Sequence, residues 1–360
     1  LKVNLSNPYT VVLIIPTGIG ASIGGYAGDA LPVARAIAHV SDHLITHPNV
    51  LNGAQLYWSL PNALYTEGYA LDKFAQGDWG LQPVLQNRIG VIFDQGIEDD
   101  LRLRHLQVID ACRATLGLNI SDYIITDQPL EVELQTADSG ASWGTIGQPA
   151  SLLRAAEILI NKGKVGAIAV VARFPDDPDN PALTEYRHGG GVDALAGAEA
   201  VISHLIVRQF QIPCAHAPAL APLPLDPAIS PKSAAEEIGY TFLPCVLVGL
   251  SRAPQFITNK KNSDHLTDQN IWADQVNALI IPASAGGGSA VLSFAETPTK
   301  IITVAENTTT LQVFPQLLGI DHIQVNSYLE AIGWIVADRA GINPSAMRSH
   351  VSPVRQINTD

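Results

Sequence analysis

Short apolar runs rich in β-branched residues punctuate the chain. Val11–Ile15, His43–Thr46, Ile89–Phe93, Asp122–Thr126, Gly166–Ala172, Leu243–Leu250, Ala278–Ile281 and Lys300–Val304 each predict a strand. Most are continuous rather than alternating, the pattern of strands buried on both faces of a sheet. Between them the apolar period lengthens to that of a helix. Glu98–Leu118 places Leu103, Leu106, Ile109, Cys112 and Leu116 on one stripe, opens on Asp99 and Asp100, and carries Gly117 where a helix-ending glycine belongs. Ser151–Lys164, Leu195–Gln209 and Val325–Ala340 repeat the helical pattern. Alternation of strand and helix predicts an α/β fold of mostly parallel sheets with flanking helices in Rossmann-like layers, as one body or two lobes.

The densest proline cluster, Ala217–Pro231 (APALAPLPLDPAISP), can be neither helix nor central strand. It divides the chain into an α/β lobe over 1–217, a linker or long surface loop over 218–236, a smaller α/β lobe over 237–342 and a polar tail over 343–360. One motif is echoed. Leu13-Ile14-Ile15-Pro16 and Leu279-Ile280-Ile281-Pro282 each lead into a small-residue loop, and a third such loop spans Asp138–Gly147.

Charge narrows the choice of partner. With 21 Lys+Arg against 34 Asp+Glu among 360 residues, and no basic run, the chain is not built to bind nucleic acid or an anionic membrane surface. No apolar run approaches the roughly 20 residues of a membrane span, and Leu1-Lys2-Val3-Asn4 does not open a signal peptide. At 47% hydrophobic and 15% charged, the composition excludes a disordered chain. Cys112, Cys214 and Cys245 have no zinc or CxxC spacing and read as buried thiols in a reducing, cytoplasmic or plastid-stromal setting.

The candidate chemistry lies beyond the predicted strands, where open α/β sheets bind ligands. Gly18, Gly20, Ser22 and Gly24 form a glycine-rich loop whose backbone N–H groups suit an anion, as do Gly287 and Ser289 in the echoed loop. The spacing GxGxxxG is one residue too long for a dinucleotide fingerprint, and no Walker Lys follows. Ser22 and Ser142 sit in GxSxG strings, but two copies favour a shared backbone shape over two nucleophiles. Trp143 is the tryptophan placed to line a pocket. His47, with Asn49 close by, and His216 each follow a strand-like run and are the candidate acid–bases. Asp94 and Asp176 are their candidate orienting acids, while Arg173, Arg187 and His188 are positioned to hold a substrate anion. No spacing of His and acids suits a metal, and no cofactor is specified.

The strings GIGASIGGYAGDALPVARA, LITHPNVLNGA, EGYALDKF, GASWGTIG, ARFPDD, GGGVDALAGAEAVISHL and PCAHAP resemble an uncharacterised, domain-of-unknown-function family of photosynthetic bacteria and plant plastids. The likeness covers nearly the whole chain. It implies a cyanobacterial cytoplasm or plastid stroma and implies no activity. Two segments, Gly18-Ile19-Gly20-Ala21 and Gly190–Ala198, are similar to the glycine-rich loop and small-residue helix of nicotinate-nucleotide:dimethylbenzimidazole phosphoribosyltransferases, with Ala21 where that loop has Asn. That likeness implies a nucleotide-like ligand. Together these readings predict a soluble enzyme that acts on a small anionic metabolite by His/Asp acid–base transfer or hydrolysis. A non-catalytic ligand sensor or assembly factor is the alternative, and a homo-oligomer is left open.

Overall fold

A computed structural model describes residues 8–52, 58–175, 180–237, 242–258 and 269–356. Its strands are β1 (Thr10–Leu13), β2 (His43–Thr46), β3 (Ala63–Tyr65), β4 (Gly80–Gln82), β5 (Ile89–Phe93), β6 (Ile120–Ile125), β7 (Val132–Thr136), β8 (Ser142–Ile146), β9 (Ala167–Arg173), β10 (Cys214–Ala219), β11 (Gln255–Ile257), β12 (Val276–Pro282), β13 (Lys300–Val304) and β14 (Ile323–Val325). The helices used below are α1 (Leu31–Val40), α2 (Pro48–Leu51), α3 (Gly68–Ala75), α4 (Asp99–Leu116), α5 (Pro149–Ile158), α6 (Pro181–Arg187), α7 (Ala196–Phe210), α8 (Pro231–Ala235), α9 (Leu243–Ser251), α10 (Ser289–Ala295) and α11 (Tyr328–Arg339).

Among the described residues two parallel sheets dominate. One has the order β14-β13-β12-β1-β2-β3, the other β10-β9-β5-β6. Sheet membership does not follow chain order. Residues 10–65 and 276–325 share the first sheet, and residues 89–219 build the second. β1 and β12, which carry the two Leu-Ile-Ile-Pro motifs, are neighbours, with Leu13 opposite Ile280. From this pair the chain winds outward in opposite directions, so a topological switch point lies between them, and a second lies between β5 and β9. Crevices at such points are where open sheets bind ligands.

The continuous apolar runs become strands with no exposed side chain in β1, β2, β5 and β9. Leu243–Leu250 departs from the strand expectation and forms α9. This helix packs against α2, α4, β5, β9 and β10, and Leu243, Val246, Leu247 and Leu250 are all buried. A helix covered on every side is apolar on every side, so it shows no period and reads like a buried strand. Pro244 in its first turn is the local sign of a helix start. The Asp138–Gly147 loop is a second correction. Its latter half is β8, paired antiparallel with β7, so Ser142 and Trp143 lie on a hairpin arm. His216 lies inside β10 rather than beyond a strand end.

Candidate functional site

A cavity of about 1390 Å³ opens at the carboxyl ends of β1, β2 and β3 and faces α7 and β10 of the second sheet. Its far wall is the proline-rich strap, residues 220–230, which carries neither helix nor strand. The strap is anchored from α6 and the residue after it. The Arg187 Nη2 donates to the Pro224 carbonyl at 2.7 Å and its Nε donates to Glu237 at 2.7 Å, while His188 Nε2 meets Asp226 at 2.8 Å. Beneath it the Tyr26 and Tyr186 rings stack at 4.5 Å, and the Tyr186 hydroxyl donates to Glu236 at 2.8 Å.

The polar floor comes from α7 and what surrounds it. Asp193, Glu199, Ser203 and His204 follow in chain order, and the helix period turns Glu199 and Ser203, four apart, to one side. His216 on β10 fits against that pair. Its Nδ1 lies 2.5 Å from Ser203 Oγ and its Nε2 3.5 Å from Glu199 Oε2. Ser203 Oγ also donates to the Glu199 carbonyl at 3.4 Å. That arrangement aims Nε2 at the Glu199 carboxyl. Asp193 accepts from the Leu195 N–H at 2.9 Å. Burial, and then the nearby Glu199 charge, push Asp193 up to about 7. Burial and the Asp193 charge likewise raise Glu236 well above the usual carboxylate range.

Glu67, just past β3, is 4% exposed and closes another corner. It caps α3 by accepting from the Tyr69 and Ala70 N–H groups at 2.8 and 3.2 Å, and it pairs with His204 Nδ1. Burial opposes a charge on His204, but Glu67 beside it and Asp72 nearby outweigh burial and raise the imidazole. A raised imidazole adds stability in full below its unfolded value of about 6.5 and loses it as pH rises through the folded value. Glu67→Gln is therefore expected to lower the melting temperature at about pH 6, with the deficit shrinking as the pH rises well above the unfolded value. The loss is about 1 kcal/mol, because His204 is still 43% exposed to solvent and counter-ions. A deficit that is constant across that range in thermal melts would sink this assignment.

Of the residues singled out in the sequence, His47, Asn49, His216 and Ser289 line the cavity. His47 is 8% exposed and its Nε2 accepts from the Ile15 N–H at 3.1 Å. Burial pulls it down to about 4, so it is neutral and carries its proton on Nδ1. Asn49 ties the first glycine loop to α2, its Nδ2 donating to the Gly24 carbonyl at 3.1 Å.

Gly18, Gly20, Ser22 and Gly24 support that loop rather than the cavity wall. Gly18 (φ 71°) receives the Ser142 N–H on its carbonyl at 2.8 Å, and Ser22 bonds to Glu306 and Asn307. Gly287 packs beside Val313, and Trp143 is 45% exposed on its hairpin. The α10 start is already capped, with the Ala290 N–H donating to Asp72 at 3.1 Å.

Asp94 and Arg173 lie together at the other switch point, beside a crevice of about 380 Å³. There Asp94, 1% exposed, accepts from the Gly96, Leu130 and Arg173 N–H groups at 2.9, 2.9 and 3.0 Å and works as a loop clasp. The Arg173 guanidinium grips Glu98 at 2.9 Å. Neither Arg173 nor Arg187 offers the cavity a guanidinium without a carboxylate partner. Asp176 lies outside the described residues. Glu67, Asp193, Glu199, Ser203, His204 and Glu236 escaped sequence reasoning, which looked beyond strand ends and passed over a helix interior.

The class defined by this fold and site is an α/β protein of two parallel sheets with a carboxylate- and histidine-lined cavity at a switch point. Within that class the chain belongs to the family described as "Protein of unknown function (DUF3326)", which matches residues 10–348. A relative from Synechococcus sp., named an uncharacterised lipoprotein, is 59% identical over 343 residues, covering 95% of this chain and 94% of its own. A solved structure of unliganded arylmalonate decarboxylase covers 58% of this chain and 86% of its own at 12% identity, with a TM-score of 0.20. Among the described residues no helix is long and apolar enough to cross a membrane. Nor do any three His, Cys, Asp or Glu side chains among them group so as to hold a metal ion.

Proposed function

We propose that the protein is an enzyme that moves a proton on a small molecule bound in the large cavity, in a hydrolytic or group-transfer reaction. The observation that carries this reading is the Ser203–His216–Glu199 contact on the cavity floor, with Asp193, pushed up to about 7, on the same wall. An acid with its pKa near the working pH both gives and takes a proton readily. Asp193 is the proposed acid and His216 the proposed base, with Ser203 holding the ring and neutral His47 donating a hydrogen bond from Nδ1. Arg173 and Arg187, the arginines expected to hold a substrate anion, are each engaged by a carboxylate of the protein. A cytoplasmic or stromal setting fits the three buried free cysteines. Fractionation of cells expressing the full-length protein is expected to leave it in the soluble fraction, and recovery with membranes would reject that setting.

The test is to incubate the protein with a small-molecule extract of a photosynthetic bacterium and follow depletion by mass spectrometry. A compound converted by the wild type is expected to be converted roughly 10²–10⁴-fold more slowly by His216→Gln and Asp193→Asn. Compounds that bind without being converted would instead assign the cavity to ligand sensing.

A further inference from the structure

We infer that Ser203 is a nucleophile activated by His216, and that the cavity takes a carboxylic ester whose acyl group passes through the Ser203 oxygen. The inference rests on the Ser203–His216–Glu199 contact being the reactive centre, and it goes further by naming the attacking atom and the substrate class.

The tautomer of His216 follows from its neighbours. The Glu199 carboxylate only accepts, so the ring nitrogen that faces it, Nε2 at 3.5 Å from Oε2, is the one that carries the proton. Nδ1 is then the bare, basic nitrogen, and the atom in front of it is the Ser203 hydroxyl at 2.5 Å. A hydroxyl held against a bare imidazole nitrogen, with the other nitrogen oriented by a carboxylate, is the arrangement that activates serine. The other acceptor within reach of Ser203 Oγ, the Glu199 carbonyl at 3.4 Å, is far beyond the usual 2.7–2.8 Å and competes weakly for the hydroxyl proton.

The fold holds this geometry in place. α7 is seated on the β7–β8 hairpin at Gly197, and Ile202, Ile206 and Val207 bury its inner side. His216 is fixed on β10 opposite Val170 of β9. Glu199, Ser203 and His216 all line the one cavity. Leu183, Leu220, Leu223 and Ile229 give that cavity an apolar wall for the hydrocarbon part of an ester.

The chemistry runs in two halves. Ser203 Oγ bonds to the carbonyl carbon as its proton passes to His216 Nδ1. The tetrahedral centre collapses, the bond to the alcohol oxygen breaks, and the departing alcohol takes that proton. Water then attacks the acyl–Ser203 ester and gives its proton to the same nitrogen. The acid leaves as Ser203 recovers a hydrogen. One ester and one water enter, and one alcohol and one acid leave.

The experiment uses the intact chain and an alkyl fluorophosphonate, whose phosphorus stands where the carbonyl carbon would and whose fluoride is displaced. Mass spectrometry is expected to show a single adduct per chain, mapped to Ser203 in the peptide digest, and none on heat-denatured protein. Ser203→Ala is expected to abolish the adduct, and His216→Gln to slow its formation at least about tenfold. A short burst of nitrophenolate from p-nitrophenyl butyrate, stoichiometric with the chain, is expected from the wild type and not from Ser203→Ala. No adduct on the folded chain, an adduct at another residue, or equal labelling rates in the wild type and His216→Gln each overturns the inference. Metabolite turnover that needs His216 and Asp193 but survives Ser203→Ala removes the nucleophile and leaves the acid–base reading. Labelling of Ser203 without turnover of any metabolite does the reverse.

Discussion

Replacing Gly197 with alanine is expected to destabilise the protein by about 3 kcal/mol, at the upper end of what one added methyl usually costs in a packed interior. The reason is what the methyl meets. A Cβ on Gly197 would lie 2.2 Å from the Trp143 Cα and 2.5 Å from the Ser142 carbonyl oxygen. These are backbone atoms, and no side-chain rotation can move them away. α7 would have to lift off the β7–β8 hairpin, and α7 carries Glu199 and Ser203. The control is Gly333→Ala on α11, where nothing lies within 4 Å of the new methyl. There the gain in helix propensity should stabilise by about 0.5–1 kcal/mol. Paired denaturation curves check both. A loss at Gly197 no larger than at an exposed site would mean that the close seating of α7 on the hairpin does not matter to the fold.

Asp193→Asn is expected to stabilise the protein at neutral pH and to leave it unchanged near pH 4. An ordinary Asp ionises near 3.9 in the unfolded chain, whereas Asp193 holds its proton to about 7 in the fold. Between those values the folded state binds the extra proton, so stability falls as pH rises. The loss is complete above the folded value. A difference of that size corresponds to about 3–4 kcal/mol at pH 8. Asparagine keeps the carbonyl that accepts the Leu195 N–H and cannot ionise, so it removes this penalty. The measurement is melting temperature against pH for both proteins. The curves should meet at about pH 4 and diverge to about pH 7. Parallel curves would mean that Asp193 titrates as an ordinary acid.

Within the candidate site, legibility depended on whether the chemistry was local. His47 and Asn49 were readable because they follow β2 directly, and a strand followed by His-Pro-Asn is a local pattern. Ser289 was readable for the same reason beyond β12. Glu199 and Ser203 lie inside a helix that looks like any small-residue helix. What distinguishes them is His216, thirteen residues beyond Ser203 on an adjacent strand. Arg173 and Arg187 failed in the opposite direction. As sequence they are free cations, and only the fold brings Glu98 and Glu237 against them.

The sequence by itself determined the α/β class, the parallel strands β1, β2, β5, β9, β12 and β13, and the four long helical segments. Periodicity and apolar continuity are properties of neighbouring residues, and burial on two faces writes them directly into the chain. The tertiary structure decided that Leu243–Leu250 is a helix, because burial on every side erases the period that separates helix from strand. It also decided that residues 10–65 pair with residues 276–325, since hydrogen bonding between parallel strands carries no sequence code for its partner. And it decided the charge of the cavity. Whether an arginine or a carboxylate is free depends on what is packed against it, and that is set by contacts between residues far apart in the chain.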